Sequence, residues 1–246
     1  MSLVITGGSR GIGRAIVLAS IRSGEDVVFS YCSDEPAAQR TRELAAAIDP
    51  ERICLAVQLD QRDSGSCEAF ADAAREQLGE VRAVVCNAGV NRDGMAFTMS
   101  DEDWHEVIQT NLTGSFYVAR AFLGDLVASG CGRLVFIGSI AASGGGGQAN
   151  YAASKAGLEG LSRSLAKEYG RKGLTSNVVS PGMFHTDMTA ATLPADREGF
   201  WLQFCPLKRM GEPEEVASAV LFLCSRQSSF VNGTTVQVDG GLGWSA

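Results

Sequence analysis

The sequence predicts an α/β protein, a single doubly wound domain in which a seven-stranded parallel sheet carries helices on both faces. Three observations predict it. Short β-rich apolar runs alternate with longer helix-like segments from one end to the other. The runs are apolar almost throughout, as strands covered on both faces must be. No internal repeat or linker divides the 246 residues, a length that one α/β domain often reaches.

The elements follow in order. Leu3-Val-Ile5 is the first strand and Ile12–Ser23 the first helix; Val27-Val-Phe-Ser-Tyr31 and Ala37–Ile48 repeat the unit. The third strand is Ile53–Leu59, followed by helix Cys67–Leu78; the fourth is Ala83–Cys86, followed by one long helix, Trp104–Val127. Arg133–Ser139 is a strand that delivers Ser139 at its end, and Tyr151–Tyr169 is the next helix. Between them Gly144-Gly-Gly-Gly147 reads as a mobile loop. Thr175–Ser180, Pro213–Cys224 and Thr235–Val238 complete the alternation. The stretch from Met183 to Met210 is a long connection rich in Met, Phe and Trp, the kind of segment that often forms a lid.

Bulk properties exclude several function classes. With 45% hydrophobic and 20% charged residues and no apolar run of bilayer length, a membrane protein is not expected. A net charge of −7 disfavours general nucleic-acid binding. The first strand-like segment begins almost at Met1, which leaves no room for a secretory signal and suggests a cytoplasmic protein. The seven cysteines are scattered without a Cys-x-x-Cys pair, so buried reduced thiols are expected and no metal. His105 and His185 lack the companions of a zinc site or hydrolase triad, and Ser139 is not in a Gly-x-Ser-x-Gly elbow.

The turn Thr6-Gly-Gly-Ser-Arg-Gly-Ile-Gly13 sits between the first strand and the first helix, the context a phosphate-binding turn requires. Gly7, Gly11 and Gly13 permit a tight turn, close approach of a pyrophosphate and helix packing, while Ser9, Arg10 and Ile12 complete the cradle at the helix N-terminus. This is the Rossmann arrangement for a dinucleotide. The second strand ends Phe29-Ser-Tyr31-Cys-Ser33, with no acid before Asp34 to accept hydrogen bonds from ribose hydroxyls. Arg10 can counter a 2′-phosphate and Ser33 hydrogen-bond to it, which favours NADPH/NADP+; Asp34 and Glu35 argue the other way.

Tyr151 and Lys155, four residues apart, share one helical face. A phenol of ordinary pKa ~10 is a poor acid, and an adjacent ammonium lowers it. Ser139, twelve residues upstream, reaches the same cleft and can hold a substrate carbonyl. Alone, such a pair is more often an ordinary exposed helix contact.

The turn at Thr6 to Gly13, Asn87-Ala-Gly89, Asn111 in Thr-Asn-Leu, Ser139, Tyr151/Lys155 and Pro181-Gly182 occur in order, and together they resemble the short-chain dehydrogenase/reductase family across essentially the whole chain. Asn91-Arg-Asp-Gly94, Gly147-Gln-Ala-Asn-Tyr151, His185-Thr-Asp-Met188, Pro206–Val216 and Val238-Asp-Gly-Gly241 look most like its 3-oxoacyl-[acyl-carrier-protein] reductases. The resemblance implies that Tyr151 is the general acid for ketone reduction, that Lys155 lowers its pKa and binds the nicotinamide ribose, that Ser139 polarises the carbonyl, and that Asn111 helps resupply protons through Lys155. It places Asn87, Ala88 and Gly89 on the adenosine-ribose side, Asp60 and Gln61 at the adenine, and Pro181, Gly182, Phe184 and Thr186 at the nicotinamide. An acyl thioester substrate on a carrier protein or CoA, in fatty-acid or polyketide-type synthesis, and a homotetramer are likewise implied.

Three departures stand out. The Ser139-to-Tyr151 spacing is one residue shorter than the family's usual spacing, a deletion that Gly144–Gly147 can absorb. Cys86 replaces an Asn common before Asn87-Ala-Gly. The region Val127-Ala-Ser-Gly-Cys-Gly132 lacks the basic residue with which such reductases dock an acidic carrier, whereas Arg171-Lys172 keeps the second. An apolar acyl pocket of Met183, Phe184, Met188, Phe200, Trp201 and Phe204 competes with plain core or subunit packing. Two alternatives are a reductase of free ketones or alcohols and a dinucleotide-binding regulatory protein without turnover; an enoyl reductase is disfavoured because those relatives usually space Tyr and Lys farther apart.

Overall fold

The computed structural model describes residues 2–187, 189 and 195–244. Seven strands, β1 (Ser2–Ile5), β2 (Asp26–Tyr31), β3 (Cys54–Gln58), β4 (Ala83–Cys86), β5 (Arg133–Ile137), β6 (Thr175–Pro181) and β7 (Thr235–Val238), form one sheet in the order β3-β2-β1-β4-β5-β6-β7. Every pairing is parallel. Side chains alternate between the faces, so Leu3 and Ile5 join one core with Val27 and Phe29, whereas Val4 and Val28 join the other.

Helices α1 (Gly11–Arg22), α2 (Glu35–Ile48) and α8 (Pro213–Cys224) cover the first face, contributing Ile16, Val17, Ala45, Val216 and Val220 to its core. Helices α3 (Ser64–Leu78), α5 (Ser115–Ala128) and α6 (Ala149–Tyr169) cover the second, where Phe70 meets Phe122 edge-on at 6.0 Å between ring centres. Strand order reverses between β1 and β4, and a ligand cleft belongs outside the carboxyl ends of the strands at that point.

Two elements differ from expectation. The single helix predicted over Trp104–Val127 is α4 (Asp101–Ile108) and α5, joined by a π-helical turn, Gln109–Gly114. The backbone stays helical through Ile108, Gln109, Gly114 and Ser115, so the apolar spacing hides the widening. Gly114 is required there, since a Cβ would lie 2.7 Å from Gln61 Cγ and 2.9 Å from Gln61 O. The connection predicted between Met183 and Met210 contains a further helix, α7 (Ala195–Phe204); Met188 lies outside the described residues, and the side chain of Phe200 is not described. Ser139 stands two residues past β5, with a 3₁₀ turn, Ile140–Ser143, preceding the glycine run.

Candidate active site

The glycine-rich turn is built by local necessity. Gly7 and Gly11 have φ of 67° and 53°, and a Cβ on Gly13 would lie 2.0 Å from Gly7 O. Thr6 Oγ1 accepts from the N–H groups of Asn87 and Ala88, each at 3.0 Å, while Asn87 Nδ2 donates to Thr6 O at 2.9 Å and Gly7 O at 3.1 Å. Arg14, which the sequence did not single out, donates to Ser9 O through Nε at 3.0 Å and Nη2 at 2.6 Å, and through Nε to Thr41 Oγ1 at 3.0 Å. Among the described residues no side chain caps α1, so its first-turn N–H groups face the cleft, and a pyrophosphate fits there.

A cleft of about 1240 Å³ runs from this turn to α6. It is lined by Gly7, Ser9, Arg10, Gly11, Ile12 and Gly13, by Tyr31 and Ser33, by Asn87, Ala88 and Gly89, and by Pro181, Gly182, Phe184 and Thr186. Ser139, Tyr151 and Lys155 close its far end. Arg10 is exposed and, among the described residues, has no ion-pair partner. Asp34 Oδ1 accepts from Ala37 N–H at 3.0 Å as the cap of α2.

The reacting end gathers residues from three elements. Lys155 is buried, its Nζ donating to Ile137 O at 2.8 Å and lying 5.5 Å from the centre of the Tyr151 ring. Burial lowers the Lys155 pKa to about 8, so the ammonium still carries its charge at neutral pH. Burial holds the Tyr151 phenol above its ordinary value; a hydrogen bond with Ser139 pulls it down, and the charge of Asp93 pushes it up. The net direction is upward because desolvation outweighs the lowering contribution, so the phenol is protonated at neutral pH. Despite the short spacing, Ser139 and Tyr151 line the same cleft.

Asn111 is fully buried on the π turn. Its Oδ1 accepts from Val90 N–H at 2.8 Å, and its Nδ2 donates to Val90 O at 2.9 Å and Ser154 Oγ at 3.1 Å. Ser154 in turn donates to Tyr151 O at 2.7 Å. A Cβ on Gly89 would lie 3.1 Å from Asn111 Oδ1 and 3.5 Å from Lys155 Nζ, so a side chain there would crowd the Asn111 amide. Asn150 also escaped the sequence reading: its Oδ1 accepts from Tyr151 N–H at 2.7 Å, and its Nδ2 donates to Arg92 O at 3.0 Å. Its place immediately before Tyr151 and that of Ser154 immediately before Lys155 were the available signals.

Asp60, Gln61 and Phe184 also line the cleft, and each has a partner within the fold. Gln61 Nε2 donates to Thr110 O at 2.6 Å and Ala88 O at 3.2 Å, so its side chain braces the π turn, and among the described residues its buried Oε1 has no partner. The Asp60 carboxylate is taken by Arg62, with Nη2–Oδ2 at 2.6 Å. Phe184 is a core residue whose ring covers Gly211. Of the suggested acyl pocket, Trp201 and Phe204 are 41% and 42% exposed, which rules out core packing for them within this chain.

Comparison with known proteins agrees with this architecture. A family model described as Enoyl-(Acyl carrier protein) reductase matches residues 7–243. The chain is 40% identical over 240 residues to 3-oxoacyl-[acyl-carrier-protein] reductase FabG of Salmonella typhimurium, covering 97% of this chain and 96% of the relative. It is 40% identical over 243 residues to 3-oxoacyl-[acyl-carrier-protein] reductase MabA of Mycobacterium bovis, covering 98% of this chain and 92% of the relative. The crystal structure of levodione reductase superposes with a TM-score of 0.95 at 30% identity, covering 100% of this chain and 98% of that one.

Proposed function

The chain belongs to the short-chain dehydrogenase/reductase family, and on that premise we propose that it reduces a 3-oxoacyl thioester, bound to an acyl carrier protein or CoA, to the 3-hydroxyacyl product with NADPH. The observation that carries the reading is the convergence of a protonated Tyr151, its partner Ser139 and the buried Lys155 at the end of a cleft that begins in a phosphate-binding turn. Relatives named 3-oxoacyl-[acyl-carrier-protein] reductase over nearly the full length supply the substrate class.

A bound nicotinamide supplies the hydride that the β-carbon accepts. The residues of the turn and of the β4 end hold the dinucleotide, with Arg10 and Ser33 placed for a 2′-phosphate. Ser139 holds the carbonyl oxygen by a hydrogen bond. As the C=O double bond gives way to C–H, Tyr151 passes its proton to that oxygen, so no free alkoxide forms. Lys155 sits where its positive charge stabilises the phenolate left behind, and Asn111 holds the loop of Gly89 and Val90 against it for proton resupply. Fatty-acid or polyketide-type synthesis, a homotetramer and a cytoplasmic setting complete the reading. Among the described residues, no helix is long and apolar enough to cross a membrane.

The matched family model is named for enoyl reduction, but a Tyr–Lys spacing of four with a Ser hydroxyl on the same cleft suits a carbonyl oxygen better than an alkene. A second reading, reduction of a free ketone, draws on the likeness to levodione reductase. Incubating the protein with NADPH and either acetoacetyl-carrier protein, acetoacetyl-CoA or a free diketone, and weighing the products by mass spectrometry, separates them. A gain of two hydrogens on the thioesters is expected. Turnover of the free ketone alone would favour the second reading.

A further inference from the structure

The Gly144–Gly147 loop has little packing of its own. A Cβ at Gly144, Gly146 or Gly147 would meet nothing within 4 Å, and Gly144 and Gly147 have φ of 107° and 76°. Four consecutive glycines lose the most backbone freedom on ordering, yet this loop hands Tyr151 to its place opposite Ser139. Two local turns, Gly144 N–H to Ala141 O at 2.9 Å and Gln148 N–H to Gly145 O at 3.1 Å, give some order, and contacts from outside the loop add the rest. Gly94 N–H donates to Gly147 O at 2.8 Å, and Gly94 pairs with Gln148 as a parallel bridge. Gln148 Nε2 donates to Asp93 Oδ1 at 3.0 Å. One residue before this, Arg92 is anchored on α4 by Glu106 through two contacts of 2.8 Å, and its carbonyl takes the Asn150 amide. A ladder therefore runs from α4 through Arg92-Asp93-Gly94 to the first turn of α6, and both of its rails line the cleft.

We propose that Asp93 is a positioning residue: by gripping Gln148 it pins the glycine loop and so fixes the Tyr151 phenol against Ser139. This rests on the reading of Tyr151 as the proton donor. The charge of Asp93 is felt at the phenol, as a carboxylate on this rail requires. The clasp compensates for the freedom that the glycines introduce, and it lets the shorter connection keep Ser139 and Tyr151 on one cleft.

A reciprocal exchange of donor and acceptor tests the clasp. Gln148→Glu sets two carboxylates against each other; Asp93→Asn added to it restores one donor and one acceptor with the direction reversed. Amide exchange over residues 144–149 is followed in the cofactor-free proteins, and steady-state turnover of a 3-oxoacyl thioester is followed beside it. Gln148→Glu should speed exchange in the loop and lower kcat roughly tenfold with KM little changed, short of the hundredfold that a 1 Å misplacement can cost. The double variant should recover both to within about threefold of wild type. Unchanged exchange or unchanged kcat in Gln148→Glu, or a double variant no better than the single one, overturns the proposal. Lack of thioester turnover by the wild-type protein would speak against the ketoreductase reading instead, and the exchange series would still decide the clasp.

Discussion

Replacing Lys155 by Met should make the cofactor-free protein more stable at neutral pH while destroying its activity. The side chain is 4% exposed, and burial lowers its pKa from 10.5 to about 8. That difference corresponds to about 3 kcal/mol, the cost of holding the ammonium in the folded state. The unfolded chain binds more protons than the folded one between these two values, so wild-type stability from this group rises with pH across the window from about 8 to 10.5. Below it the full penalty is present; above it none is. Met cannot make the hydrogen bond to Ile137 O, which costs about 1 kcal/mol. The net gain for Lys155→Met at pH 7 is then about 2 kcal/mol, and it should swing by about 3 kcal/mol in favour of wild type by pH 10.5. Urea unfolding at one fixed protein concentration, at both pH values, reads this directly. A variant less stable than wild type at pH 7, or a difference that does not change with pH, would refute the burial argument.

Other parts of the site give separate outcomes. Gly13→Ala forces a Cβ to within 2.0 Å of Gly7 O, so dinucleotide binding should be lost in a fluorescence titration and Tm should fall. Arg10→Glu puts a negative charge where a 2′-phosphate is expected; KM for NADPH should rise at least about tenfold relative to that for NADH, and an unchanged ratio would remove Arg10 from the discrimination. Ser154→Ala leaves an Asn111 N–H buried without its acceptor, which should cost about 1–3 kcal/mol in urea unfolding.

The strands were legible because β-branched runs such as Val27-Val-Phe29 and Leu134-Val-Phe-Ile137 have little alternative in a sheet covered on both faces. The π turn was not, because Gln109–Gly114 preserves helical spacing and widens only where Gly114 meets Gln61 across the fold. Ser139 and Tyr151 sit just past a strand end and at a helix start whose direction the alternation of elements sets, and Lys155 follows one turn later on the same helix. Gln61 and Phe184 line the cleft as expected, but the partners that hold them were not legible. Which way such side chains turn depends on partners distant in sequence, here Thr110 and Gly211. The same holds for Tyr151: spacing puts Lys155 beside it, but the direction of its pKa follows from burial, which a sequence does not display.

The central claim is that Tyr151 is the acid of an NADPH-dependent ketone reduction. Single-turnover NADPH oxidation with acetoacetyl thioester, in wild type and Tyr151→Phe, tests it most directly. The account predicts a loss of roughly 10²- to 10⁴-fold in rate with NADPH affinity unchanged; a variant that oxidises NADPH at near wild-type rate would contradict it.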